Sequence, residues 1–224
     1  MMDHNRMIDQ DMAELKDLIL KMGVMVQGLI HKSVEALKNQ DNKLAQEVVE
    51  EDEKVDQLQL EVDEKSIQLI ALRQPEASDL RFITTGMRIA NDLERIGDLS
   101  EDIAQRAIDL SGQPLLKPLI DIPQMAKLSQ NALSLVLDAF VKRDAATAHQ
   151  VWEIERQIDD LRDRVSDELL EIMTKDAATV SRAFPLVLVS RHLERICDHA
   201  TNIAEDIVYM VEGKVVKHGG RGEN

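Results

Sequence analysis

The stretch Leu93-Glu94-Arg95-Ile96-Gly97-Asp98 returns as Leu193-Glu194-Arg195-Ile196-Cys197-Asp198, five identities in six at an offset of 193 − 93 = 100, and Ile103-Ala104 returns as Ile203-Ala204. Agreement of this density at one offset marks an internal duplication, so the fold is to be read as one unit built twice. Around the first copy, apolar Leu93, Ile96, Ile103, Ala107 and Leu110, with Ser100, fall on one seven-residue stripe; around the second, Leu193, Ile196, Ala200, Ile203, Ile207 and Met210 do the same. That spacing is a helix with one face in a core. The small side chains at Ser100 and Ala200 allow a neighbouring helix to come close.

Working outward, helical periodicity predicts helices over Met7 to Lys38, Asn42 to Arg73 and Ala77 to Leu110, with Asp41 and Ser78 as candidate caps. The densest cluster of helix breakers, Gly112, Pro114, Pro118 and Pro123, follows. The pattern then resumes over Gln124 to Lys142, Ala145 to Thr174 and Ala177 to Val211, with Asp144 and Asp176 near helix starts and Gly213 placed to end the last helix. Pro185 is expected to kink the sixth helix or delay its start. The expected architecture is all-α, two tandem pseudo-symmetric three-helix bundles over residues 7–110 and 124–212, each with its own core. Residues 111–123 form the linker and 213–224, polar and rich in Gly, a flexible tail.

Composition narrows the function. The chain of 224 residues carries 42 Asp or Glu against 27 Lys or Arg, a formal charge of −15. Such a surface repels nucleic-acid phosphates, and five aromatic residues leave no stacking platform for single strands. Cys197 is the only cysteine, which excludes an internal disulfide framework and a Cys-based zinc site. The amino terminus lacks an apolar signal core and no run approaches the ~18 apolar residues of a membrane helix. A soluble, cytoplasmic chain is expected.

The acidic residues are also patterned. Glu94 and Asp98, like Glu194 and Asp198, stand i, i+4 on the side of their helix away from the apolar stripe; Asp52 and Asp56 flank the Val48/Val55 stripe, and Glu155 and Asp159 flank Val151/Ile158. Pairs at this spacing are common on solvated helix faces. Their height is more telling: an antiparallel hairpin with its turn near Glu76 brings Asp52/Asp56 level with Glu94/Asp98, and one with its turn near Asp176 brings Glu155/Asp159 level with Glu194/Asp198. Four carboxylates at one height repel unless they are protonated, reached by basic side chains such as Arg95 and Arg195, or bound to a cation. All-oxygen donors suit hard ions such as iron, Mn²⁺, Mg²⁺ or Ca²⁺ rather than copper, with zinc a further candidate. Asp102 and Glu101 extend the first group by a turn, where the second copy has Asn202 and Thr201, so a second site should hold fewer or weaker ions.

Enzymatic signatures are missing. No His has Glu three residues before it, as ferritin-like di-iron bundles require, and no Gly-x4-Gly-Lys phosphate loop occurs. His192 and His199 correspond to Asp92 and Leu99 in the first copy, which favours packing or surface roles, and Trp152 reads as a core residue.

With two copies of Leu-Glu-Arg-Ile-x-Asp, the Asp52 to Asp56 run Asp-Glu-Lys-Val-Asp, the turn Arg73-Gln74-Pro75-Glu76-Ala77-Ser78-Asp79-Leu80-Arg81, and His199-Ala200-Thr201-Asn202-Ile203-Ala204-Glu205, the chain resembles the PhoU family from about Asp9 to Gly213. These are accessory proteins of the bacterial phosphate-specific transport system. The resemblance implies a non-enzymatic, commonly homodimeric negative regulator of phosphate uptake and the phosphate-starvation response. It would act between the phosphate ABC transporter, through its ATPase, and a membrane sensor histidine kinase, reaching the membrane only through these partners. It further implies that Asp52, Asp56, Glu94, Asp98, Glu155, Asp159, Glu194 and Asp198 bind metal. Cys197, where the family usually has Gly, and Pro185 depart from the pattern. The alternative from another class is a metal-dependent phosphohydrolase or a metal store.

Overall fold

The computed structural model describes residues 2–215, with side chains from residue 7 onward. Of the tail expected over 213–224, residues 216–224 lie outside the described residues. The elements in order are α1 (Met2–Asn39), α2 (Asn42–Arg73), α3 (Ala77–Asp109), α4 (Asp121–Lys142), the single turn α5 (Ala145–Ala148), α6 (Val151–Lys175), a 3₁₀ turn (Ala177–Thr179) and α7 (Val180–Glu212).

The helix ends follow from local chemistry. Asp41 accepts hydrogen bonds from the Lys43 and Leu44 amides and so caps α2, and Asp144 accepts from Ala146 at the start of α5. Gln74 adopts a left-handed conformation with φ 47° after α2, and Gly213 with φ 69° ends α7. Ser78 is not a cap: α3 begins after Glu76, and the Ser78 hydroxyl lies 3.5 Å from Asp79. Pro123 is not in the linker either. It sits in the first turn of α4, where its missing N–H forfeits no helix bond, so that helix starts three residues earlier than the pattern of breakers suggests. The single fifth helix expected over 145–174 is interrupted at His149 and Gln150, where bonds from Gln150 to Thr147 and from Glu153 to Gln150 tighten the chain by one residue per turn. The turn seats Trp152 in the core with the His149 ring against it, centroids 4.7 Å apart. Asp176 caps the 3₁₀ turn that delays α7 to Val180, five residues before Pro185.

In each half the long helices form a three-helix bundle, α1–α3 and then α4, α6 and α7. The two stripes that define the repeat are buried along their whole length. Phe82 stacks on Phe140 with centroids 5.0 Å apart, joining α3 to α4. The expectation of two separate cores fails, because α3 packs on α7 as well as on α1 and α2, and α1 packs on α4. Buried side chains from Leu15 to Met210 form one continuous apolar cluster. The α3–α7 seam is antiparallel: Arg88 pairs with Asp206 at 2.9 Å, Asp92 with His199 at 2.8 Å, and Asp102 lies 3.8 Å from His192.

Ile103 and Ile203 are fully buried in this shared core. Truncating either to Ala should cost roughly 2–5 kcal/mol through lost burial and an unfilled cavity. Because the core is continuous, calorimetry should show each variant lowering one cooperative transition rather than splitting off the mutated half.

Candidate metal centre

Two helices build the first cluster. From α2 come Asp52 and Asp56; from the facing side of α3 come Glu94, Asp98 and Glu101. One carboxylate oxygen from each of Asp52, Asp56 and Asp98 lies within 4.8 Å of the others. Asp56 is exposed and Asp98 half-buried, but Asp52 is only 5% exposed, although the sequence places it at the flank of an apolar stripe. The space for it is made by Gly97. A Cβ at that position would lie 2.4 Å from Asp52 Oδ1, so only glycine lets the carboxylate press against the α3 backbone.

The electrostatics follow from this burial. Asp52 Oδ1 is buried and has no hydrogen-bond partner. Desolvation, reinforced by Asp56, Asp98, Glu101 and Glu94, pushes the Asp52 carboxyl up to about 7. Burial likewise raises Glu94, helped by Asp98, and Glu101, helped by Asp102 and Asp98. Arg95 reaches Asp98 at 2.9 Å and Glu94 at 3.4 Å from the exposed rim. Among the described residues no basic side chain pairs with Asp52 or Asp56. Three convergent carboxylates, one with an orphaned, buried oxygen and only Asp98 met by an arginine, from the exposed rim, fit a hard cation.

The second cluster has the same helices' counterparts and a different interior. Glu155 and Asp159 come from α6, Glu194 and Asp198 from α7. Arg162 lies among them, 3.4 Å from Asp159 and 2.5 Å from Glu194, and it also pairs with Asp163 at 2.8 Å. Cys197, 1% exposed, fills the position of Gly97, and burial with the surrounding carboxylates pushes its thiol far up. Burial first, then Glu194 and Asp159, raises Asp198 to about 6. Burial and Asp198 raise Glu155. Among the described residues only Asp52, Asp56 and Asp98 bring three such donors within 4.8 Å.

Asp102 and Asn202 lie in the α3–α7 seam. Asp102 faces His192, while Asn202 donates to Asp92 at 3.4 Å and lines an open groove of about 680 Å³ with Asp63, Arg88, Asp206 and Tyr209. Of the two residues that could extend the first cluster, Glu101 is the one whose charge acts on Asp52. Its signal was present in the sequence, since 94, 98 and 101 fall on one face at steps of four and three. The Asp92–His199 pair escaped notice because nothing in helical spacing tells which helix will lie opposite.

The chain matches the PhoU domain family model twice, over residues 19–107 and 122–207. It is 39% identical over 209 residues to the phosphate-specific transport system accessory protein PhoU homolog of Aquifex aeolicus, covering 93% of this chain and 95% of that protein. With the homolog of Rhizobium meliloti it shares 38% identity, covering 92% of this chain and 87% of that one. The crystal structure of PhoU from Pseudomonas aeruginosa superposes with a TM-score of 0.88 at 34% identity, over 92% of this chain and 99% of that one. The phosphate transport system regulatory protein PhoU from Streptococcus pneumoniae gives 0.87 at 30%, over 94% and 100%. The chain belongs to the PhoU family.

An Asp whose folded pKa is raised keeps a proton that the unfolded chain releases. For Asp52 the folding free energy therefore worsens as pH rises from about 4 towards about 7, and the loss levels off above that. About three pKa units set an upper bound near 4 kcal/mol. Denaturant titrations of metal-free protein should show this decline. In Asp52→Asn most of it should vanish, leaving the smaller slope due to Asp198, and the variant should be the more stable protein at neutral pH. Gly97→Ala should displace the Asp52 carboxylate from its seat and so shrink the same pH-dependent decline.

Proposed function

We propose that this chain is an accessory protein of a phosphate-specific transport system: a non-enzymatic cytoplasmic adaptor that represses phosphate uptake and the phosphate-starvation response when phosphate is plentiful. The observation that carries this reading is the family match across both repeats, with relatives named as accessory proteins of the phosphate-specific transport system matched over nearly their full length. No helix among the described residues is long and apolar enough to cross a membrane, so contact with the transporter would run through protein partners. Those partners are the transporter's ATPase and a membrane sensor histidine kinase, approached by a homodimer. The long, acidic helical surfaces suit partners that present positive charge.

Metal belongs to the proposal at the first cluster. Asp52, Asp56 and Asp98 would hold a hard cation, iron, manganese, magnesium, calcium or zinc, with Glu94 and Glu101 beside them. The bound ion would supply the positive charge these carboxylates lack. The residues' own part is mechanical: Asp52 and Asp56 belong to α2, Asp98 to α3, so a shared charge fixes the spacing of the two helices and the surface they present.

Cells lacking this gene, grown in abundant phosphate, should secrete high alkaline phosphatase, and the wild-type gene should restore repression. Asp52→Asn should abolish metal binding and fail to restore repression, although the protein folds. Repression by metal-free Asp52→Asn would break the link between metal and signalling. Unchanged output in the deletion would overturn the regulatory reading, and turnover of phosphate esters by metal-loaded protein would put a phosphohydrolase in its place.

A further inference from the structure

We propose that the two carboxylate clusters are not equivalent: the first takes the hard cation, and in the second the guanidinium of Arg162 stands in the cation's place, so the carboxy-terminal half is closed to metal by its own side chain. The inference rests on the metal reading of the first cluster given above, and it assigns to Arg162 and Cys197 the difference between the halves.

Three observations carry it. Helix two of the repeat aligns Asp52 with Glu155 and Asp56 with Asp159, an offset of 155 − 52 = 103, which puts Gln59 opposite Arg162. Gln59 turns along its own helix and donates to Asp63 at 2.7 Å, so the first cluster's arginine contact is Arg95, which reaches Glu94 and Asp98 on its own helix from the exposed rim and, among the described residues, neither carboxylate of α2. Arg162 instead spans from α6 to α7, engaging Asp159 and Glu194, two of the four carboxylates of its cluster. A guanidinium is permanently charged and offers five donors in a fixed fork, so it satisfies two carboxylates at once and cannot be displaced by losing a proton.

The second observation is steric. The pocket that receives Asp52 exists because position 97 has no side chain, and even a Cβ would come within 2.4 Å of Asp52 Oδ1. Cys197 places both Cβ and Sγ there and is buried. The carboxylate of the second helix cannot take the same seat, and the residue present is the longer Glu155, which is only half-buried. The third is the outcome: a convergent donor triad forms among the described residues in the first half alone, and it contains the orphaned, 95%-buried Asp52 oxygen.

Mn²⁺ uptake by the full chain after desalting, together with thermal melts in chelator at neutral pH, tests the assignment. Wild-type binding should disappear in Asp52→Asn and stay at the wild-type stoichiometry in Asp198→Asn. Giving the second half the first half's residues, Arg162→Gln with Cys197→Gly, should roughly double the bound metal, and Asp198→Asn should abolish the gain. Binding that falls by half in Asp52→Asn and by half in Asp198→Asn would overturn the inference while leaving the metal reading intact, as would no gain in the double variant. Should the wild type take up no Mn²⁺, the metal reading falls, and the melts still judge Arg162. As a counter-ion, Arg162→Gln should lower the melting temperature by several degrees in chelator, with Asp198→Asn restoring part of the loss; an unchanged melt would refute the role.

Discussion

Everything in this molecule is arranged around the antiparallel contact between α3 and α7. Each of these helices is the third of its bundle and the partner of the other, so each is packed against other helices over most of its circumference. Fifteen residues of α3 are buried, among them Gly86 and Gly97, positions where an added Cβ would meet a neighbour at 2.9 and 2.4 Å. Close packing on this scale favours paired polar groups in the seam: Asp92 pairs with His199 and Asn202 and Arg88 with Asp206, whereas the buried His192 Nδ1 has no hydrogen-bond partner and lies 3.8 Å from Asp102. The seam merges two three-helix units, each with a modest core, into one apolar interior that includes residues from both ends of the chain.

With its other sides committed, the face of α3 turned to α2 is where function can be carried. The helix uses it for acids, and the cost is visible at Asp52, whose carboxyl is held near neutrality by burial and by four neighbouring carboxylates. A carboxylate in that position is tolerable in three ways: as the acid, beside a cation, or not buried at all. The first half keeps the buried site and leaves the charge to come from outside. In the second, Cys197 removes the seat and Arg162 brings a fixed charge, while Asp198 is still pushed up to about 6. The same backbone thus holds one cluster with a buried, unpaired carboxylate and one in which an arginine bridges two of the four acids.

Much of this was legible in the sequence because it is local or periodic. The repeat, the two buried stripes, the caps at Asp41 and Asp144, and the stop at Gly213 depend on residues within a few turns of one another, and the structure has them there. Pro123 and Ser78 misled for the same local reason: whether a proline breaks a helix or opens it depends on its position in the first turn, and a serine caps only if the chain bends just before it. The acids of each hairpin do lie level, Asp52 and Asp56 with Asp98, and Asp159 with Glu194 across Arg162, since the rise of two antiparallel helices is a matter of counting. Counting did not give the burial of Asp52, which depends on a missing side chain one helix away. Nor could spacing show that Arg162 would lean across to Glu194, or that two bundles would share one core. These are contacts between elements whose registers against each other are set by the seam.

The differences between the halves gain meaning from that last point. After duplication the stripes of α3 and α7 had to remain apolar, because each is wall to the other's bundle, whereas the faces towards α2 and α6 answer only to their own hairpin. The halves differ there and at the seam's polar pairs: Gly97 against Cys197, Gln59 against Arg162, Asp52 against Glu155, Asp102 against Asn202. The changes are coupled. Filling position 97 excludes a short buried acid on the second helix, and the longer Glu155 found there is only half-buried. A single steric change on the central helix thus alters how deeply a carboxylate of the neighbouring helix can be buried, with no alteration of the fold that carries it.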